Sequence, residues 1–234
     1  MKTIIFDIET GPLADNELNK FFKEPDAFDE EAIKREFVTA RDGSPKAIEF
    51  INKKRADHEA KAEQSYLDFK AKAALRPETG QILAIGYVSE DNEVEITHAS
   101  EDLILLDFWS RFRQAETAGQ TLAGWNIADF DVPFIIRRSW KHRIKIPRFL
   151  FENNRYLTTT FLDLMKLYGC HVYGERTSLD SAGLHLLHKG KRDQLVTGAT
   201  FAKFFNGSEA DRALALKYLE NDLLLTKEIH DTLC

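Results

Sequence analysis

In the run Ile4-Ile5-Phe6-Asp7-Ile8-Glu9, two carboxylates are separated by a single apolar residue. Side chains alternate between faces along a strand, so Asp7 and Glu9 leave the same face and stand side by side. Such a pair repels itself and costs free energy unless it lies at a strand end in water or shares a cation. Taken alone, a charged strand end before the turn signal Gly11-Pro12 explains it equally well. A second candidate is Asp131, in Trp125-Asn126-Ile127-Ala128-Asp129-Phe130-Asp131-Val132-Pro133, where strand character gives way to helix. It is either a functional carboxylate or the cap of the helix that Pro133 opens. The third lies near the C-terminus, where Leu214, Tyr218, Asp222, Leu225 and Ile229 recur at helical spacing and form one stripe. Asp222 interrupts that apolar face, and a buried carboxylate needs a cation or a hydrogen-bond donor. A core tyrosine beside an aspartate paired with Lys or Arg is the plainer account.

The chemistry these groups share is that of a hard divalent cation. An all-carboxylate set favours Mg²⁺ or Mn²⁺, whereas zinc would recruit His or Cys. A hard cation held this way can activate a bound water and offset developing negative charge. A tyrosine, with its ordinary pKa near 10, is a neutral hydrogen-bonding group at neutral pH.

A DxE strand, an N-x-x-x-F-D-x-P segment and a Y-x-x-x-D helix occur here in that order. In this the sequence resembles the DEDD superfamily of 3′→5′ exonucleases, and its tyrosine matches the DEDDy branch. Asn126 through Pro133 look most like the proofreading domains of family B DNA polymerases. The resemblance reaches from Asp7 to Asp222 and implies a ribonuclease H-like fold. It implies that Asp7, Glu9, Asp131 and Asp222 bind metal, two ions per site, and that Tyr218 orients the attacking water. It also implies contacts to the terminal nucleotide from Thr10 and Leu13, and substrate-side roles for Asn126 and Phe130. The implied activity is metal-dependent release of nucleoside monophosphates from the 3′ end of single-stranded nucleic acid, DNA before RNA, in replication or repair. The sequence departs from that pattern in the long charged stretch after the first strand.

The elements that must position these residues read as an α/β fold, a mixed sheet flanked by helices. Strand signals occupy residues 3–9, 82–88 and 94–98, with Glu90-Asp91-Asn92-Glu93 as a hairpin turn between the last two. Residues 102–115 carry apolar side chains at Leu103, Leu106, Phe108 and Phe112 and read as helix, followed by a short strand at 121–125. A helix from Pro133 to about His142 follows, then helical pieces near 178–188, 199–205 and 209–233. Between Asn16 and Leu75 the composition turns to charge and alanine, with Asp57–Lys61 and Asp68–Lys72 in the favourable i,i+4 orientation. We read 16–75 as a helical insertion within a single exonuclease domain spanning 1–234.

A hydrophobic content of 43% is enough for one good-sized core. The formal net charge of −6 means that nucleic-acid binding must rest on a local patch. The densest basic stretch is Arg137-Arg138-Ser139-Trp140-Lys141-His142-Arg143-Ile144-Lys145-Ile146-Pro147-Arg148, which is either a phosphate guide or a solvated helix face. His185 and His188 share a helix face without a third zinc-type ligand and read as structural. The two cysteines, Cys170 and Cys234, cannot build a disulfide framework or a zinc cluster and suit a reducing cytoplasm. No stretch is apolar enough to span a membrane. Two further readings stay open: an exonuclease acting on RNA or short oligonucleotides, which differs in tolerance of the 2′-OH, and a non-catalytic nucleic-acid-binding protein of the same fold.

Overall fold

The computed structural model describes residues 2–36, 44–147, 161–190 and 195–234. Residues 37–43 of the charged stretch and Arg148 of the basic stretch lie outside them. The chain divides into two compact units, one formed by 1–11 with 74–234 and the other by Pro12–Ala73.

The first unit is built on a five-stranded sheet in the order β3-β2-β1-β4-β5. These are β1 (Thr3–Pro12), β2 (Gly80–Val88), β3 (Val94–Thr97), β4 (Thr121–Gly124) and β5 (Phe161–Asp163). The hairpin β2–β3 is antiparallel, with Val88 opposite Val94. Strand β4 runs parallel to both β1 and β5, so the sheet is mixed. One face is covered by α4 (Glu101–Thr117) and α5 (Asp131–Lys141) and the other chiefly by α9 (Glu209–Leu233). Between β5 and α9 come α6 (Leu164–Tyr168), α7 (Leu179–Leu187) and α8 (Phe201–Phe205).

Strand β1 is the spine, and its alternation assigns the two faces. Ile4, Phe6 and Ile8 pack with Phe108 and Phe134 in the α4–α5 core. Ile5 packs with Leu219 and Leu223 in the α9 core. The strand runs through Gly11-Pro12 where a turn was expected. Gly11 makes this possible, since a Cβ there would lie 2.6 Å from Leu83 Cδ1.

Two helical stripes are rotated from their sequence reading. In α4 the buried face is Ile104, Leu105, Phe108, Trp109, Phe112 and Ala115, while Leu103 and Leu106 are exposed. That set covers a wider arc and fills the core with larger rings. In α9, Ala215, Leu219, Asp222, Leu223, Thr226 and Ile229 are buried and Leu214 is exposed. Helix α9 starts at a capping box between Ser208 and Asp211. It lies close on the sheet because β2 has Gly86 beneath it, where a Cβ would come 2.4 Å from Leu223 Cδ1.

The second unit holds α1 (Asp15–Leu18), α2 (Glu30–Glu36) and α3 (Pro45–Ala73). Its apolar contacts include two small clusters, Leu13-Leu18-Phe69-Ala73 and Phe28-Ile33-Ala47-Ile51. Surface ion pairs such as Lys34–Glu30 and Lys70–Asp15 accompany them. Among the described residues no helix is long and apolar enough to cross a membrane.

Candidate active site

Asp7 and Glu9 are in phase with Ile5, so they project from the sheet face that α9 covers. On α9, Asp222 follows the buried Leu219 by three residues and therefore points back at that face. The two elements bring one ligand-capable oxygen each from Asp7, Glu9 and Asp222 to within 4.8 Å of one another. Glu9 and Asp222 are 8% and 5% exposed, and Asp7 is half-buried. Three carboxylates this close in a largely dry site repel one another strongly. Their all-oxygen donor set and spacing fit a hard divalent cation.

Asp131 lies outside that trio but is joined to it through β1. The amide of Ile8 donates to Asp131 Oδ1 at 3.1 Å, and the Asp131 carboxyl is also hydrogen-bonded with Asp7. It does not cap its helix: α5 begins at Asp131 itself, with Phe130 in the cap position and no side-chain cap bond. Burial pushes the Asp131 carboxyl up to about 7, against the Ile8 and Asp7 hydrogen bonds, and the charge of Asp163 adds to the rise. Such a carboxyl holds its proton easily and gives it up to a neighbouring cation.

Tyr218, one turn before Asp222, is half-buried. Burial, then the charges of Asp222 and Glu9, raise its pKa well above the ordinary value, and its hydroxyl is hydrogen-bonded to the Asp222 carboxylate. At neutral pH it is a neutral hydrogen-bonding group beside the carboxylates.

The candidate substrate residues differ in how they are placed. Asn126 adopts a left-handed backbone, φ 61°, and its buried Oδ1 has no hydrogen-bond partner among the described residues. Phe130 is half-buried against the α4–α5 core, its ring 5.6 Å from that of Phe134. The Thr10 hydroxyl donates to the Ala74 carbonyl at 2.7 Å. Leu13 is packed in the second unit with Leu18, Phe69 and Ala73.

The basic stretch is divided between packing and solvent. Arg138, 2% exposed, donates through Nε to Glu101 Oε1 at 2.8 Å and through Nη1 to the Pro77 carbonyl at 3.0 Å. His142 meets the same Glu101, whose carboxyl is held below its ordinary range by Arg138, the Ile82 amide and His142 despite its burial. These two side chains therefore tie α5 to α4 and β2, while Arg137, Lys141, Arg143 and Lys145 are exposed, with Arg137 3.6 Å from Glu78. His185 and His188 do not converge. The first is hydrogen-bonded to the Tyr168 hydroxyl at 2.7 Å, and the second ends α7 in a left-handed conformation.

One residue that sequence reasoning passed over organises the second motif. Asp163, at the end of β5, is buried, and its carboxylate accepts four backbone N–H groups. Oδ1 takes Asn126 N at 3.2 Å, Met165 N at 3.0 Å and Lys166 N at 3.2 Å. Oδ2 takes Ala128 N at 2.9 Å. It thus caps α6 and anchors the loop that leads to Asp131. The signal was present as an aspartate directly before Leu164-Met165, but a three-residue strand is too short to register by alternation.

The chain belongs to the RNase_H superfamily, whose RNase_H_2 sequence profile matches residues 65–234. That span holds Asp131, Tyr218 and Asp222 and begins downstream of Asp7 and Glu9. The fold is ribonuclease H-like, a mixed sheet flanked by helices. It is similar to the structure of the family B DNA polymerase from the hyperthermophilic archaeon Pyrobaculum calidifontis, with a TM-score of 0.55 and 13% identity over 99% of this chain and 24% of that one. This chain thus spans about a quarter of that polymerase's length, and the likeness is one of fold. No curated protein matches the sequence.

Proposed function

We propose that this chain is a metal-dependent 3′→5′ exonuclease that removes nucleoside monophosphates from single-stranded nucleic acid, DNA in preference to RNA. The observation that carries the reading is the convergence of Asp7, Glu9 and Asp222 within 4.8 Å of one another, from the first strand and the last helix. Such close buried carboxylates are expensive to hold together unless a cation is their purpose. Asp7, Glu9, Asp131 and Asp222 would hold Mg²⁺ or Mn²⁺, two ions per site. When bound, the metal lowers the pKa of a water and offsets charge on the phosphate and the leaving oxygen.

The protein's own groups do the orienting. Tyr218 keeps its proton and directs the water by hydrogen bonding, with Asp222 fixing its hydroxyl. Asp131, held to β1 through the Ile8 amide, keeps the second motif in register with the first. Asn126 offers its Oδ1 to the substrate, a role favoured by the absence of any other partner for that oxygen among the described residues. Phe130 supplies an apolar edge for the terminal nucleotide. The side chains of Thr10 and Leu13 are occupied, so their contacts would come from the backbone.

The likeness to part of a DNA polymerase favours DNA and a place in replication or repair, including proofreading in trans. We read the whole chain as one exonuclease domain with a helical insertion at 16–75, working in a reducing cytoplasm. The test is a gel of 5′-labelled DNA and RNA oligonucleotides incubated with Mg²⁺, Mn²⁺ or EDTA. Metal-dependent ladders that shorten from the 3′ end are expected, faster on DNA. Ladders on RNA alone would overturn the DNA preference, and retention of oligonucleotide without cleavage under any metal would overturn the activity.

A further inference from the structure

A cavity of about 470 Å³ lies beside the second motif, between α6 and the turn that follows it. Asp129 of the motif-II loop forms one side, with Lys166, His171, Tyr173, Glu175 and Arg176 among the others. Its volume suits a nucleotide-sized ligand. Tyr173 stands in solvent with its ring fully exposed, beside an exposed Val172. An aromatic ring costs free energy in water and is normally packed away.

The turn that carries Tyr173 is a built feature. Cys170 and His171 both hold left-handed backbones, φ 53° and 57°, which non-glycine residues adopt at a cost. The turn is closed by its own hydrogen bonds, His171 N to Lys166 O at 2.8 Å and Val172 N to Gly169 O at 3.0 Å. Two contacts fasten it to the second motif. The Trp125 indole donates to the Thr177 carbonyl at 3.0 Å, and Lys166 pairs with Asp129 at 2.7 Å. Lys166 thereby offsets Asp129, while Arg176 is exposed at the cavity, where it can face an anion.

An exposed ring with a neighbouring cation, here Tyr173 and Arg176, is an arrangement that binds single strands, the ring stacking on a base and the cation meeting phosphate. We propose that this cavity is a subsite for the part of a single strand 5′ to the terminal nucleotide, with Tyr173 stacking on a base and Arg176 on a phosphate. This rests on the exonuclease reading for the strand's direction, and the substrate is a single-stranded nucleic acid of several nucleotides rather than a dinucleotide.

The test compares a 5′-labelled dinucleotide with a decamer, as DNA and as RNA, using the full chain with Mg²⁺ and the variants Tyr173→Ala, Tyr173→Phe and Arg176→Ala. Tyr173→Ala and Arg176→Ala are expected to raise KM for the decamer by about tenfold, the range of one lost stacking or phosphate contact. The dinucleotide should be cut as by wild type, and Tyr173→Phe should restore the decamer KM because it keeps the ring. A decamer KM within twofold of wild type for both alanine variants would overturn the subsite. Equal losses on dinucleotide and decamer would overturn it too, by moving the effect to the terminal site. If wild type cuts neither substrate, the exonuclease reading falls by itself. Decamer binding in EDTA, read by fluorescence anisotropy, then decides the subsite: Tyr173→Ala should weaken it about tenfold, and unchanged binding would sink it.

Discussion

Replacing Asp163 by asparagine tests whether the buried carboxylate at the end of β5 sets the candidate active site from outside it. The exchange keeps shape and removes the charge and one acceptor. The better amide orientation keeps an oxygen toward Asn126, Met165 and Lys166 and turns the NH₂ toward Ala128 N, whose bond of 2.9 Å is lost to a donor facing a donor. One hydrogen bond to a charged group is worth roughly 1.5–3 kcal/mol, and the three that remain weaken without the charge, so a loss of about 2–4 kcal/mol is expected. For a chain of this length that lowers Tm by roughly 5–12 °C. The released loop carries Asn126 to Asp131, and a misplacement on the order of 1 Å at a reacting centre costs up to about 10²-fold in rate. The assay is thermal melting followed by kcat on a DNA oligonucleotide well below the new Tm, with circular dichroism to confirm the folded state. A variant with unchanged Tm and a wild-type ladder would refute the reasoning. So would a variant whose melting drops but whose kcat does not, since Asp163 would then support only the fold.

Asp7→Ala should abolish the ladder and also remove the rise in Tm that Mg²⁺ or Mn²⁺ produces in wild type; wild-type turnover or an undiminished rise would contradict the shared metal site. Tyr218→Phe should lower kcat by roughly 10²-fold and leave residual cleavage, as a lost water-positioning group would; complete loss of cleavage would give the hydroxyl a larger part. In chelator, Asp131 stays protonated to about 7 when folded and ionises near its ordinary, lower value when unfolded. Over that window the folded chain holds the extra proton, so stability falls as pH rises, by on the order of 3 kcal/mol from about pH 5 to pH 8. Saturating Mg²⁺ should reduce that slope, because binding expels the proton; a metal-free Tm that rises over the same interval would refute the assignment.

Much of the site was legible because its spacings are those of regular structure. Alternation along β1 put Asp7 and Glu9 on one face, and helical spacing put Tyr218 one turn from Asp222. The third helix stripe was misphased by one residue, since Leu214 and Ala215 are both apolar and only packing chooses between them. The same ambiguity affected Leu103 and Leu106 in α4. Strand β5 escaped notice because three residues give no pattern, and Asp163 with it. The burial of Arg138 was illegible for another reason. A run of arginines and lysines says nothing about which one has a buried glutamate waiting in a helix far away in sequence, and Glu101 was that partner.

The meeting of Asp7 with Asp222 joins two elements that are 215 positions apart, 222 minus 7. Contacts of such separation form only after a long loop has been closed. A chain with its sheet assembled but α9 undocked would hold Asp7 and Glu9 and lack Asp222, the third carboxylate of the cluster. Under the exonuclease reading, cleavage would be confined to molecules that have completed their tertiary structure, and activity per molecule would report helix docking.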